Sequence, residues 1–153
     1  MSSFIGDYIC KTDAKGRIVL PAAFKRQVGK DANNLFVIKK DIYEQCLVLY
    51  PMDEWNRMVA ILRKKLNPYN KKHKQFLRGF FMDTVEISLD ANSRITIPKK
   101  LLQKITSEKE LQLVAQDDRI EIWNPDVYTK NFDENQFQEL ADELFGKSDE
   151  DIV

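Results

Sequence analysis

With 153 residues, 43% of them apolar and 10% aromatic, the chain can build a packed core as one compact domain or two small repeats. No apolar run reaches the length of a membrane span, and the opening Met1-Ser2-Ser3-Phe4 lacks the basic and apolar regions of a secretory signal, so the cytoplasm is the expected compartment. The formal net charge is zero, yet residues 1–80 hold 16 Lys and Arg against 7 Asp and Glu, and residues 81–153 hold 8 against 17, which divides the chain into halves of +9 and −9. Such asymmetry points to a nucleic-acid surface with an acidic counterpart elsewhere, or to head-to-tail attraction between subunits. Charges that only solvate two faces are the plain alternative.

In chain order, the first predicted element is a strand in the segment of Phe4 and Tyr8, followed by the tight turn Asp13-Ala14-Lys15-Gly16. Asp can bond its own backbone two residues on, and Gly takes the positive φ that closes a hairpin. Arg17 follows the turn, then a strand Ile18-Val19-Leu20, then Pro21, which cannot donate to a ladder but suits the first position of a helix. In that helix Phe24 and Val28 share one face and Gly29 is placed to end it. Strands are predicted at Leu35-Phe36-Val37-Ile38 and at Cys46 to Tyr50, the second closed by Pro51.

Trp55, Met58, Val59, Leu62 and Leu66, at spacings of three and four, predict an amphipathic helix over Met52 to Leu66, ended before Pro68. Asn70 caps a second helix carrying Phe76, Leu77, Phe80 and Phe81, an aromatic stripe suited to core or subunit contact. Arg63, Lys64, Lys65, Lys71, Lys72, Lys74 and Arg78 lie on the other side, as a solvated face or as a contact to phosphates.

The first motif then returns. Asp90-Ala91-Asn92-Ser93-Arg94-Ile95-Thr96-Ile97-Pro98 repeats Asp13 to Pro21 at an offset of 77 positions, with Leu101 and Ile105 in the places of Phe24 and Val28. Leu111 to Val114 and Arg119 to Trp123, before Pro125, answer the strands of the first copy. Each unit therefore reads as two hairpins around a short helix. A unit of roughly 45 residues buries too little apolar surface to stand alone, so the two are expected to pack, interleaving strands, as a pseudo-twofold β core. A last helix starts at Asp133 as N-cap, presents Phe137, Leu140, Ala141 and Leu144 to a packing partner, and ends at Gly146 before a disordered acidic tail, Lys147 to Val153.

Cys10 and Cys46 lie in predicted strands without CxxC spacing and read as buried free thiols, and the single histidine, His73, has no second His or Cys near it in sequence, so no metal and no cofactor is expected. One His, no nucleophile elbow, no phosphate-cradling glycine loop and only 5 glycines leave no recognisable catalytic constellation, so the chain is not expected to be an enzyme.

The repeated Asp-x-x-x-Arg, its strand-Pro-helix sequel, the opening Phe4-Ile5-Gly6-Asp7-Tyr8 and the two-copy layout resemble the MraZ family of bacterial transcriptional regulators. The resemblance implies an α+β fold of two tandem swapped-hairpin, SpoVT/AbrB-like β-barrel units forming a pseudo-twofold core with flanking amphipathic helices. Domain 1 would span residues 4–53, connecting helices 54–80, domain 2 81–126, and a C-terminal helix with the acidic tail 127–153. It further implies a protein of the cytoplasm and nucleoid that binds double-stranded DNA at repeated short promoter boxes as a ring-shaped homo-oligomer, and controls its own promoter and the division and cell-wall operon. On the matching positions, the family's pairs fall on Asp13 with Arg17 and Asp90 with Arg94. Asn92-Ser93 replaces Lys15-Gly16, so the second hairpin is expected to contact DNA less strongly than the first.

Arginine's planar fork matches a phosphate or the O6 and N7 edge of guanine. Arg17 and Arg94 are therefore the expected DNA-binding residues, with Asp13 and Asp90 orienting them and lowering the entropy lost on binding. The plain reading of each Asp and Arg is a structural pair within its hairpin. Lys15, Lys25 and Arg26 would add phosphate contacts, whereas Lys99 and Lys100 are ordinarily solvated. The competing readings are a ring-forming structural or protein-interaction module that never touches DNA, and an antitoxin-like regulator whose tail binds a toxin.

Overall fold

A computed structural model describes residues 1–146, so the expected disordered tail, 147–153, lies outside the described residues. The strands are β1 (Asp7–Lys11), β2 (Arg17–Val19), β3 (Leu35–Lys40), β4 (Leu47–Pro51), β5 (Val85–Ser88), β6 (Arg94–Thr96), β7 (Glu110–Gln116) and β8 (Arg119–Trp123). The α-helices are α1 (Ala22–Gln27), α2 (Met52–Lys65), α3 (Lys71–Phe81), α4 (Lys99–Leu102), α5 (Pro125–Asn131) and α6 (Glu134–Phe145). None of the described helices is long and apolar enough to cross a membrane.

The strands do interleave. A six-stranded antiparallel sheet runs β1-β7-β8-β4-β3-β5, and β2 pairs with β6 in a separate two-stranded ribbon. Exchanging the two repeats turns this order into itself, with the β4–β8 pairing at its centre, as the expected pseudo-twofold requires. Each repeat hands a strand to the other: β1 lies on β7, with Tyr8 opposite Leu113, and β5 lies on β3, with Phe36 opposite Ile87.

Two details of the expected units are corrected. The first hairpin of each unit keeps its turn but not its ladder, because β2 pairs with β6 and β1 with β7. Among the described residues no closed barrel forms: β1 and β5 are the edges of the large sheet. The strands that would close it, β2 and β6, are three residues long and run into Pro21 and Pro98, which have no N–H for a further ladder bond. Their central side chains, Ile18 and Ile95, instead face the core, as do the apolar residues that follow each strand. Ile18, Leu20 and Phe24 of one copy and Ile95, Ile97 and Leu101 of the other are at most 2% exposed. Full burial of each such side chain is worth about 1.5–3 kcal/mol.

The helices follow local chemistry closely, with exceptions. Asn70 caps α3 by accepting from the N–H groups of Lys72 and His73, and Asp133 caps α6 by accepting from Gln136. Trp55 of α2 meets Tyr50 at 5.4 Å and Phe80 of α3 at 6.0 Å, so the aromatic stripe joins this helical hairpin to the sheet. Pro21 and Pro98 stand one place before α1 and α4, with ψ of 137° and 132°. Helix α1 ends at Gln27 with Val28 extended, and Gly29, at φ −66°, makes no left-handed cap. Helix α5 was not expected, although Asn124, which accepts from Asp126 and Val127, and Pro125 at its first turn are a recognisable start signal. Among the described residues α6 lacks the expected packing partner, since of its own residues only Ala141 is not exposed.

Candidate nucleic-acid interface

The site begins in the two turns. Asp13 Oδ1 accepts from the backbone N–H of Lys15 at 2.9 Å and of Arg17 at 3.0 Å, while Gly16, at φ 78°, donates to the Asp13 carbonyl. The second turn repeats every contact: Asp90 Oδ1 accepts from Asn92 at 2.8 Å and Arg94 at 2.9 Å, and Ser93 takes the left-handed conformation at φ 60°. Ser93 thus does the work of a glycine without being one. The remaining carboxylate oxygen reaches the arginine in each copy, Asp13 Oδ2 to Arg17 Nε at 2.7 Å and Asp90 Oδ2 to Arg94 Nε at 3.0 Å.

Each Asp thereby closes its turn and fixes its Arg together, and binding through Nε leaves the two terminal guanidinium nitrogens for a further acceptor. The side chains of Arg17 and Arg94 are 27% and 28% exposed, so each is partly sheltered and partly open to solvent.

The ribbon brings the two copies into one site. Ile18 pairs directly with Ile95, Arg17 stands opposite Thr96, and Arg94 opposite Val19. Because strand side chains alternate, Ile18 and Ile95 enter the core and Arg17, Val19, Arg94 and Thr96 share the outer face. The arginines are diagonal neighbours, about 7–8 Å apart at the backbone. Turn and ribbon are also tied across the repeats, since Ile97 donates to the Gly16 carbonyl and Leu20 to that of Ser93, both at 2.9 Å.

Of the other expected contributors, Lys25 reaches into the same place: its Nζ donates to Ser93 Oγ at 2.7 Å, linking α1 of the first copy to the turn of the second. Lys15 is exposed in the first turn, and Arg26 is exposed on α1. Lys100 is drawn elsewhere, to Asp83 at 2.8 Å, which Lys104 also binds at 2.9 Å, while Lys99 is exposed. Sequence reasoning missed Val19, Thr96 and Ser93 as parts of the site. The period-two pattern after each Arg marks the outer positions, but which strand lies alongside is a long-range choice.

The backbone N–H of Arg17, with its guanidinium and the Lys15 N–H, holds the Asp13 carboxyl down at about 2, against a smaller upward push from desolvation. Asp90 is likewise held below the ordinary value, first by the Arg94 N–H. A depressed carboxylate contributes in full above its ordinary value of 3.8, and that contribution is lost as pH falls through about 2. Carboxyl NMR titration is expected to show Asp13 inflecting near 2, and Arg17→Ala to restore only part of the shift because the backbone donor remains. An inflection at 3.8 in the unaltered chain would mean that the turn is open in solution.

A chain built as two copies of one unit, each presenting an Asp-clamped Arg on a shared ribbon, matches a known family over both copies. The family model described as MraZ protein, antitoxin-like, fits residues 3–79 and again 80–147. The chain belongs to the MraZ family. It is 39% identical to the transcriptional regulator MraZ of Phocaeicola vulgatus, over 98% of this chain and 93% of that one. It is 38% identical to that of Christiangramia forsetii, over 100% and 99%, and 33% identical to that of Clostridium tetani, over 92% and 96%. The family is named for regulation and not for an enzymatic reaction.

Outside the ribbon of this MraZ chain, Asp41, Cys46 and Glu121 bring potential metal-ligand atoms within 4.8 Å of one another. Their contacts have a structural account. Asp41 Oδ2 accepts from Tyr43 and Glu44, Glu121 accepts from Trp123 Nε1 at 3.0 Å, and burial pushes the Cys46 thiol up, toward its protonated form. Both cysteines are free, Cys46 buried and Cys10 half-buried in β1. His73 Nδ1 accepts from the Asn67 N–H at 2.8 Å and so closes the approach to α3.

Proposed function

We propose that this chain is a sequence-specific, DNA-binding transcriptional regulator that lays the β2–β6 ribbon against double-stranded DNA. The observation that carries the reading is that both Asp-clamped arginines occupy one exposed face, related by the pseudo-twofold that also pairs Ile18 with Ile95. A two-stranded ribbon fits the major groove, where Arg forks match guanine O6 and N7, and local twofold symmetry suits two similar half-sites. Asp13 and Asp90 act as positioning residues. Lys15, Lys25 and Arg26 supply phosphate contacts that set affinity more than sequence choice.

The relatives named transcriptional regulator MraZ support a regulatory role. From the family resemblance come the targets, its own promoter and the division and cell-wall operon, together with action at the nucleoid in the cytoplasm. One ribbon reads few base pairs, so several identical chains, in a ring touching repeated short boxes, would supply specificity through effective concentration. The opposed +9 and −9 halves suit the head-to-tail contacts of such a ring.

A gel shift with the DNA upstream of the chain's own coding sequence, repeated across salt concentrations, tests this. If one module neutralises about five phosphates, log K falls with log salt at a slope of about −4.5. Assembly without salt-sensitive retention of that DNA would favour the structural-ring reading instead.

A further inference from the structure

Helix α6 is an anomaly in the folded chain. Phe137, Leu140, Leu144 and Phe145 form one stripe at helical spacing, and they are 57%, 52%, 71% and 48% exposed. A helix of 12 residues is marginal in water by itself, and most helical stability comes from burying such a face. Its other residues include Glu134, Glu139, Asp142 and Glu143, and it contains no Lys or Arg.

A surface of the opposite character lies on the α2–α3 hairpin. Val59, Leu62, Leu66, Pro68, Leu77 and Phe81 line an apolar groove of about 390 Å³, and Arg63 also lines it. Lys64 and Lys65 follow on α2, and α3 carries Lys71, Lys72, Lys74 and Arg78 with no acidic residue. The two acidic residues of α2, Asp53 and Glu54, are in its first turn, at the other end from Arg63. By the rise of an α-helix, α6 is about 18 Å long and α2 about 21 Å, so one can lie along the other.

We infer that α6 of one copy seats its apolar stripe in the α2–α3 groove of a second copy, acidic flanks against basic rim. The contact is a helix-in-groove docking between unlike surfaces, so it passes from copy to copy until the assembly closes. It rests on the oligomeric part of the proposed function and names the two faces that this part leaves open. It also accounts for the charge division: the basic helices of the first half and the acidic helix of the second are the two sides of one interface. The DNA-facing ribbon takes no part.

The test is a mixing experiment read as particle mass by light scattering. A donor variant, Leu140→Asp with Leu144→Asp, changes only exposed positions, as does an acceptor variant, Arg63→Glu with Arg78→Glu; Leu62→Asp serves as a second acceptor variant, its fold checked by circular dichroism. The unaltered chain is expected to run as a multi-chain species and each variant alone as a single chain. Donor and acceptor variants mixed should form a one-to-one pair, through the intact helix of the acceptor variant and the intact groove of the donor variant. An acceptor variant with unchanged mass would mean that α6 pairs with α6, and a donor variant with unchanged mass would place the interface elsewhere. Either result overturns this inference and leaves the ring reading standing. A single-chain mass for the unaltered protein would remove both.

Discussion

Replacing Arg17 and Arg94 together by alanine is expected to abolish specific binding to the chain's own upstream DNA while leaving the fold and the particle mass unchanged. The fold survives because neither guanidinium is in the core: each side chain is more than a quarter exposed, and the apolar contacts beneath belong to Ile18 and Ile95. Binding fails because a bidentate arginine–guanine contact is worth about 1–3 kcal/mol of discrimination, roughly five- to 150-fold per arginine. In a multi-chain complex the loss recurs at every ribbon.

The single variants separate two questions. If an arginine reads a base, its alanine variant loses preference for the upstream sequence over unrelated DNA; if it grips a phosphate, affinity falls for all sequences and the salt slope shrinks by about 1. Comparing Arg17→Ala with Arg94→Ala then measures whether the Asn92-Ser93 turn weakens the second half, given that the two arginine side chains are almost equally exposed. Unchanged affinity in the double variant would take the ribbon out of the interface.

Phe24→Ala is expected to have the largest effect on stability. Phe24 is 0% exposed, and its ring meets Phe4 at 5.6 Å and Tyr8 at 5.0 Å, both edge-on. Truncating a fully buried Phe costs about 3–5 kcal/mol, the transfer loss plus the cavity it leaves. For a chain of this length each kcal/mol lowers Tm by about 2–4 °C, so thermal unfolding should shift down by about 6–20 °C. Leu101→Ala, the counterpart in the second copy, should cost about 2–5 kcal/mol. Because both side chains belong to the same buried cluster, the two losses should not add independently. A shift of only a degree or two for Phe24→Ala would mean that the two repeats do not share a close-packed core.

What could be read in advance depended on the range of the interaction. The Asp13 and Asp90 turns, the caps at Asn70 and Asp133 and the face of α2 each follow from contacts within a few residues, and each is present as expected. Errors at this range were small, such as the role given to Gly29 and the overlooked Asn124-Pro125 start. The hairpin expected between β1 and β2 failed for a different reason. Its turn forms from local hydrogen bonds, but the ladder of a strand can be completed by any strand that lies alongside, and here β7 and β6 of the other repeat take those places.

By itself the sequence determined that this is a duplicated unit, that each copy carries an Asp-clamped Arg beside a turn, and that neither copy could bury enough surface alone. The tertiary structure decided that the two arginines share one ribbon instead of marking two separate rims, that Lys25 reaches the turn of the opposite copy, and that α6 is left uncovered. The physical reason is that turns and caps are closed by neighbours along the chain. Strand partners and register, by contrast, are chosen by burial among residues far apart in the chain, such as Tyr8 with Leu113 and Ile18 with Ile95, and many pairings satisfy the same apolar pattern until the whole core is packed.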